Sequence, residues 1–238
     1  MSTFNLIALS LVLTLFVPGA EQARSQKNTS AEPEDLLHVQ GKVTDGKSGE
    51  VIDAHLEYYK LPDSDKVGIY NTESGTFDLL MSGNAAYELE VVAQGYIPYQ
   101  ESLALYDHAG KEMVKNIELV PLKKGDVLRL DNLLFEQDEF YITESSYREL
   151  DRLVRMMEVN PTLEIRLEGH TDIRGNPRRN YQLSKNRIME VGRYLQERGI
   201  DKNRLEFKAF GGSEPLVREG SLEQRAANRR VEVRIMKI

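Results

Sequence analysis

The chain has 238 residues, long for one domain and short for three, so two small domains are expected. Hydrophobic residues at 40% and charged residues at 29% suffice for packed cores and exclude a wholly disordered chain. A balance of 31 Lys+Arg against 38 Asp+Glu gives a net charge of -7, which excludes general nucleic-acid binding; the lack of cysteine excludes disulfides, thiolate metal sites, a cysteine nucleophile and an acylated lipoprotein cysteine.

Phe4 to Val17 form an almost entirely apolar run, followed by Pro18-Gly19-Ala20. A run this short, against the ~20 residues that span a bilayer, predicts a secretory signal peptide over residues 1–23, although no Lys or Arg precedes it. Residues 24–36 are polar and read as a flexible tether. Export of a cysteine-free chain fits a bacterial periplasm.

Charge divides what remains. Residues 1–121 carry 8 Lys+Arg and 18 Asp+Glu; residues 122–238 carry 23 and 20, and 17 of those 23 cations are arginine. Arginine offers the planar fork that suits carboxylates. The shift places a boundary at 121/122.

Residues 37–121 predict an all-β sandwich of short strands between turn residues. The expected strands are His38–Val43, Ala54–Lys60, Gly68–Asn71, Thr76–Leu80, Tyr87–Ala93 and Asn116–Val120. Ala54, Leu56 and Tyr58 alternate with His55, Glu57 and Tyr59, the pattern of a half-buried strand. The phrases Gly41-Lys42-Val43-Thr44-Asp45, Gly75-Thr76-Phe77 and Ala93-Gln94-Gly95-Tyr96 resemble the carboxypeptidase-regulatory-like sandwich. The tyrosines of this half are expected in its core and edges, and Asp63-Ser64-Asp65 as a solvated turn.

Residues 122–238 predict the order β-α-β-α-β-β, with helices packed on a mixed sheet, which makes the whole chain α+β. Val127–Phe135 reads as a strand. Ser146 and Glu149 suit a capping box, with Tyr147, Leu150, Val154 and Met157 on one helical face. Leu163 to Leu167 alternates as a strand, a polar loop covers Gly169 to Arg179, and a second helix is expected over Asn180–Arg198, stopped by Gly199. Leu205–Phe210 and Arg230–Met236 complete the strands.

Four phrases stand out in this half: Gly169-His170-Thr171-Asp172, Leu183-Ser184-Lys185-Asn186-Arg187, Gly211-Gly212-Ser213-Glu214-Pro215 and Asn228-Arg229-Arg230-Val231-Glu232. In this order and spacing they resemble the OmpA-like peptidoglycan-binding domain. The resemblance implies non-covalent anchoring to the wall of a diderm bacterium, in the periplasm and associated with the outer membrane, through diaminopimelate of the stem peptide. It assigns Asp172 to the ligand ammonium and Arg187 to its carboxylate. A fixed anion beside a fixed cation is what such a zwitterionic end requires. Asn180, as ligand contact or helix cap, Thr171 and Gly175 in the loop, Asn228 and Arg229 near the pocket, and Asp138 after the first strand are further candidates. Arg179, Ile188 and Ala209 stand where the family commonly has Tyr, Ala and Gly.

Four histidines at no metal-ligand spacing, no nucleophile elbow and no phosphate loop point to a binder without metal, cofactor or catalytic residues. His170 is expected to order its loop by hydrogen bonding. The alternative is an adaptor acting through residues 37–121 on an envelope protein or glycan, with the wall grip as tether.

Overall fold

A computed structural model describes residues 36–106, 112–131, 133, 135 and 140–238. The expected signal peptide, the tether up to residue 35 and Asp138 lie outside the described residues.

The first half is built from β1 (Leu36–Asp45), β2 (His55–Leu61), β3 (Asp65–Asn71), β4 (Thr76–Ser82), β5 (Ala86–Val92), β6 (Tyr99–Ala104), β7 (Glu112–Val114) and β8 (Ile117–Leu119). One sheet runs β3-β2-β5-β6, all antiparallel. In the other, β1 pairs with β4 antiparallel and with β7 and β8 in parallel. Alternate residues of both sheets, among them Val39, Leu56, Leu79, Leu89 and Ile117, meet in one apolar core. β6 and β7 were not among the expected strands. In Tyr99–Ala104 alternate residues turn inward, but Glu101 occupies one of those positions, so the apolar alternation that marks a strand is broken in the sequence.

The second half contains β9 (Val127–Arg129), α1 (Tyr147–Val159), β10 (Glu164–His170), α2 (Pro177–Glu197), β11 (Leu205–Gly211) and β12 (Val231–Lys237). The sheet order is β11-β10-β12-β9, with β10 and β11 parallel and the other pairs antiparallel. Leu150, Leu153 and Met157 of α1 and Ile188, Val191 and Leu195 of α2 share a core with Ile165, Leu167, Val233 and Ile235 of the sheet.

Several local expectations change. The strand at Val127–Phe135 shortens to three residues, with Phe135 bridging to Ile142 instead. Ser146 makes no side-chain cap; Glu149 is drawn to Arg152 at 3.1 Å. Tyr147 is 40% exposed and stacks on Tyr194 rather than entering the core. α2 starts at Pro177, three residues early, because Asn176 caps it, accepting from the backbone N–H groups of Arg178 (2.9 Å) and Arg179 (3.1 Å).

The largest departure is in β2. Its polar face was expected in solvent, yet Glu57 and Tyr59 are buried. Glu57 lies directly opposite Glu90 of β5, and like charges so placed repel. α1 supplies the counter-charge from Arg148, Arg152 and Arg155, which share one helical face. Arg148 reaches Glu88 (2.7 Å) and Glu90 (3.1 Å), Arg152 reaches Glu90 (3.0 Å), and Arg155 pairs with Glu57 (3.2 Å) and Glu90. The Arg148 guanidinium also lies over the Tyr59 ring at 4.1 Å. Asn160 Oδ1 accepts from the Gly95 N–H at 2.6 Å, and Ile97 packs against the second core.

Burial pushes the Glu57 carboxyl up, but the Tyr59 hydroxyl, Lys66 and the Arg155 charge outweigh it and bring it down to about 2. Its contribution to stability is therefore complete above about pH 4.5 and is lost as the pH falls toward 2. An acid titration followed by circular dichroism should show less destabilisation in that window for Glu57→Gln than for the wild type. Glu90→Ala removes a buried carboxylate shared by three half-buried arginines, which keep Glu88, Glu149 and Glu57 as partners, and is expected to cost about 1–3 kcal/mol in urea denaturation.

Candidate functional site

The site forms where β10, β11, α2 and β12 converge. β10 ends in a bulge at Gly169/His170. His170 N–H then donates to Arg230 O (3.0 Å) and Thr171 N–H to Gly211 O (2.8 Å), so the chain is pinned between β11 and β12 immediately before Asp172. Gly212 passes so close behind that a Cβ there would lie 2.7 Å from Asp172 O. Beyond Asp172 the loop turns through Gly175 at φ +93°, in the left-handed region that favours glycine.

Asp172 is half-buried and its carboxylate accepts from three donors. Oδ2 receives Arg225 Nη1 at 2.5 Å; Oδ1 receives the Ile173 N–H at 2.8 Å and Asn228 Nδ2 at 3.3 Å. Asn228 is fully buried and exchanges hydrogen bonds with both backbone groups of Val217 (2.9 and 2.8 Å). Asn180 is not the cap of α2. Its amide donates to Asp172 O (3.0 Å) and Arg174 O (2.9 Å), bracing the loop onto the first turn of the helix. The buried Thr171 hydroxyl donates to Asp172 O at 3.1 Å. Ser184 joins α2 to the end of β11 by accepting from Gly211 N–H at 3.0 Å.

Arg187 lies two turns further along α2, buried, with its guanidinium 4.6 Å from the centre of the Phe135 ring. It lines a hollow of about 370 Å³ together with Arg129, Asp131, Leu133, Phe135 and Arg229. Ala226 and Ala227 complete one wall. The short 3-10 turn Gln224–Asn228 therefore works on two sides: Ala226 and Ala227 face the hollow, while Arg225 and Asn228 hold Asp172. Asp172 is not among the lining residues, and its ion-pair partner among the described residues is Arg225 rather than Arg187.

His170 packs instead of bonding. Its ring is buried, stacks on Phe210 at 4.8 Å, and neither nitrogen has a hydrogen-bond partner among the described residues. Burial, together with the Arg230 charge, pushes the imidazole below its usual range. Glu168, His170 and Glu232 bring potential metal ligands within 4.8 Å of one another. Both carboxylates already serve guanidiniums, Glu168 those of Arg234 (2.7 Å) and Arg166 (2.7 Å), and Glu232 that of Arg230 (2.5 Å).

Residues 134–229 match the OmpA family. This stretch is an OmpA-like domain. Outer membrane porin F of Pseudomonas aeruginosa is 32% identical over 113 residues, 47% of this chain and 32% of the porin. The peptidoglycan-associated lipoprotein of Haemophilus influenzae is 30% identical over 89 residues, 37% of this chain and 58% of the lipoprotein. Each curated relative is thus matched over less than two thirds of its own length. Among solved structures, the periplasmic domain of Helicobacter pylori MotB is 29% identical and superposes with a TM-score of 0.43, covering 49% of this chain and 85% of that one.

Arg225 escaped the sequence reading because its partner is 53 residues away, and its own surroundings, Gln224 and Ala226, carry no periodic signal. Asn176 had one, the Asn-Pro pair that opens a helix. Asn176→Ala is expected to destabilise the chain by about 1 kcal/mol in urea denaturation through loss of the cap of α2.

Proposed function

We propose that the protein binds peptidoglycan non-covalently through the diaminopimelate of the stem peptide and anchors an envelope component to the cell wall. In this view residues 1–23 are a signal peptide, residues 37–121 a carboxypeptidase-regulatory-like sandwich, and residues 122–238 the wall-binding half, acting in the periplasm. The observation that carries the proposal is the placing of opposite charges across one turn: the Arg187 and Arg229 guanidiniums in a hollow lined by both apolar and charged side chains, and the Asp172 carboxylate held by the far side of that turn. Diaminopimelate offers a carboxylate and an ammonium on one carbon at the end of an aliphatic arm. The arm suits Leu133, Phe135 and the two alanines, the carboxylate suits Arg187, and the ammonium suits Asp172. A relative that carries peptidoglycan association in its name supports the same ligand class.

Asp172→Ala and Arg187→Ala are each expected to abolish co-sedimentation of the full chain with sacculi while leaving its circular dichroism intact. Wild-type retention by both variants would overturn the assignment. Replacing diaminopimelate by lysine in the wall removes the carboxylate and should weaken binding by about ten- to a hundredfold, the worth of one charge-assisted hydrogen bond.

A second reading, an adaptor acting through the first half, is favoured by β3, which forms a sheet edge with Val67 and Ile69 about half exposed. Sacculus retention by the Asp172→Ala/Arg187→Ala double variant would support it.

A further inference from the structure

We propose that Arg225 is the positioning residue of the site: it fixes the Asp172 side chain and restricts it to a single-donor cation, an ammonium rather than a guanidinium. The proposal rests on the peptidoglycan reading for the identity of the ligand, and on the geometry of the carboxylate for the role of Arg225.

A carboxylate has about four lone-pair positions. Three are taken in the ligand-free protein. Oδ1 accepts from the Ile173 N–H and Asn228 Nδ2, and Oδ2 accepts from Arg225 Nη1. Among the described residues no donor reaches the fourth position, on Oδ2. It fits one N–H of an ammonium. A guanidinium fork needs a free position on each oxygen, and Oδ1 has none.

Arg225 is itself held rigidly. It is 4% exposed, its Nε donates to Gly220 O at 3.2 Å and its backbone N–H to Ser221 O at 3.0 Å. Asp172, by contrast, belongs to a loop between β10 and α2 and has no secondary-structure ladder to fix its rotamer. Without Arg225 only the Ile173 N–H and the longer Asn228 contact, both on Oδ1, would restrain that side chain, so ligand binding would have to order more of it. The pair also neutralises Asp172 before the ligand arrives.

The test uses the full chain and free meso-diaminopimelate in calorimetric titrations. Arg225→Met should weaken binding by about tenfold, the scale of one or two side chains ordered on binding, and Arg225→Lys should restore most of it. The Asp172→Asn/Arg225→Met double variant, compared at ligand concentrations where Asp172→Asn still binds, should bind no more weakly than Asp172→Asn, because Arg225 acts only through Asp172. In ligand-free protein, three-bond NMR couplings should report one Asp172 rotamer in the wild type and averaging in Arg225→Met. Unchanged affinity in Arg225→Met, a full additive loss in the double variant, or an Asp172 rotamer as fixed in Arg225→Met as in the wild type would each overturn the proposal. If the wild type fails to bind diaminopimelate, the ligand assignment falls, while the couplings still decide whether Arg225 fixes Asp172.

Discussion

Everything at the site depends on where the turn Gln224–Asn228 lies. Its two small residues, Ala226 and Ala227, shape a wall of the hollow, and the two polar residues beside them, Arg225 and Asn228, meet Asp172, the one carboxylate of the loop between β10 and α2. The turn has no ladder of its own to hold it in place. Asn228 does that by bonding both backbone groups of Val217, and burial makes those bonds costly to break. A buried asparagine side chain with both its amide oxygen and its amide nitrogen satisfied thus sets the distance between the anionic and cationic sides of the site.

A second constraint acts at a longer range. Placing Glu57 and Glu90 side by side on neighbouring strands is unfavourable unless cations reach both, and α1 brings them. The two apolar cores belong to different halves of the chain, yet the charges between them make one compact unit. Partly buried pairs of this kind are screened less by salt than surface pairs, so the junction is less sensitive to ionic strength than they are.

Much of this was legible from local pattern. Alternation in Leu163 to Leu167 and Val231 to Ile235 marked the central strands, Gly199 stopped α2 as a left-handed residue should, and the periodicity of Ile188, Val191 and Leu195 found its buried face. What stayed hidden involves partners distant in sequence. Glu57 looks like a solvent-facing residue of an amphipathic strand until a helix about a hundred residues later covers it. Tyr147 fits the apolar stripe of α1 but stays partly exposed, stacked on the buried Tyr194. Ser146 and Glu149 have the spacing of a capping box, and the pull of Arg152 on Glu149 decides otherwise. The phrase residues Asp172 and Arg187 were visible as chemistry, whereas Arg225, which holds the first of them, was visible only once the chain was folded.

The ionic junction also limits how such a chain can be recombined. Three guanidiniums on α1 are matched to carboxylates on β2 and β5, so the halves are interlocked partners and not interchangeable cassettes. Grafting the second half behind a different leading module would leave a row of positive charge facing whatever surface took its place. Any lineage that shuffles this arrangement must trade both faces at once, or first erase the arginines.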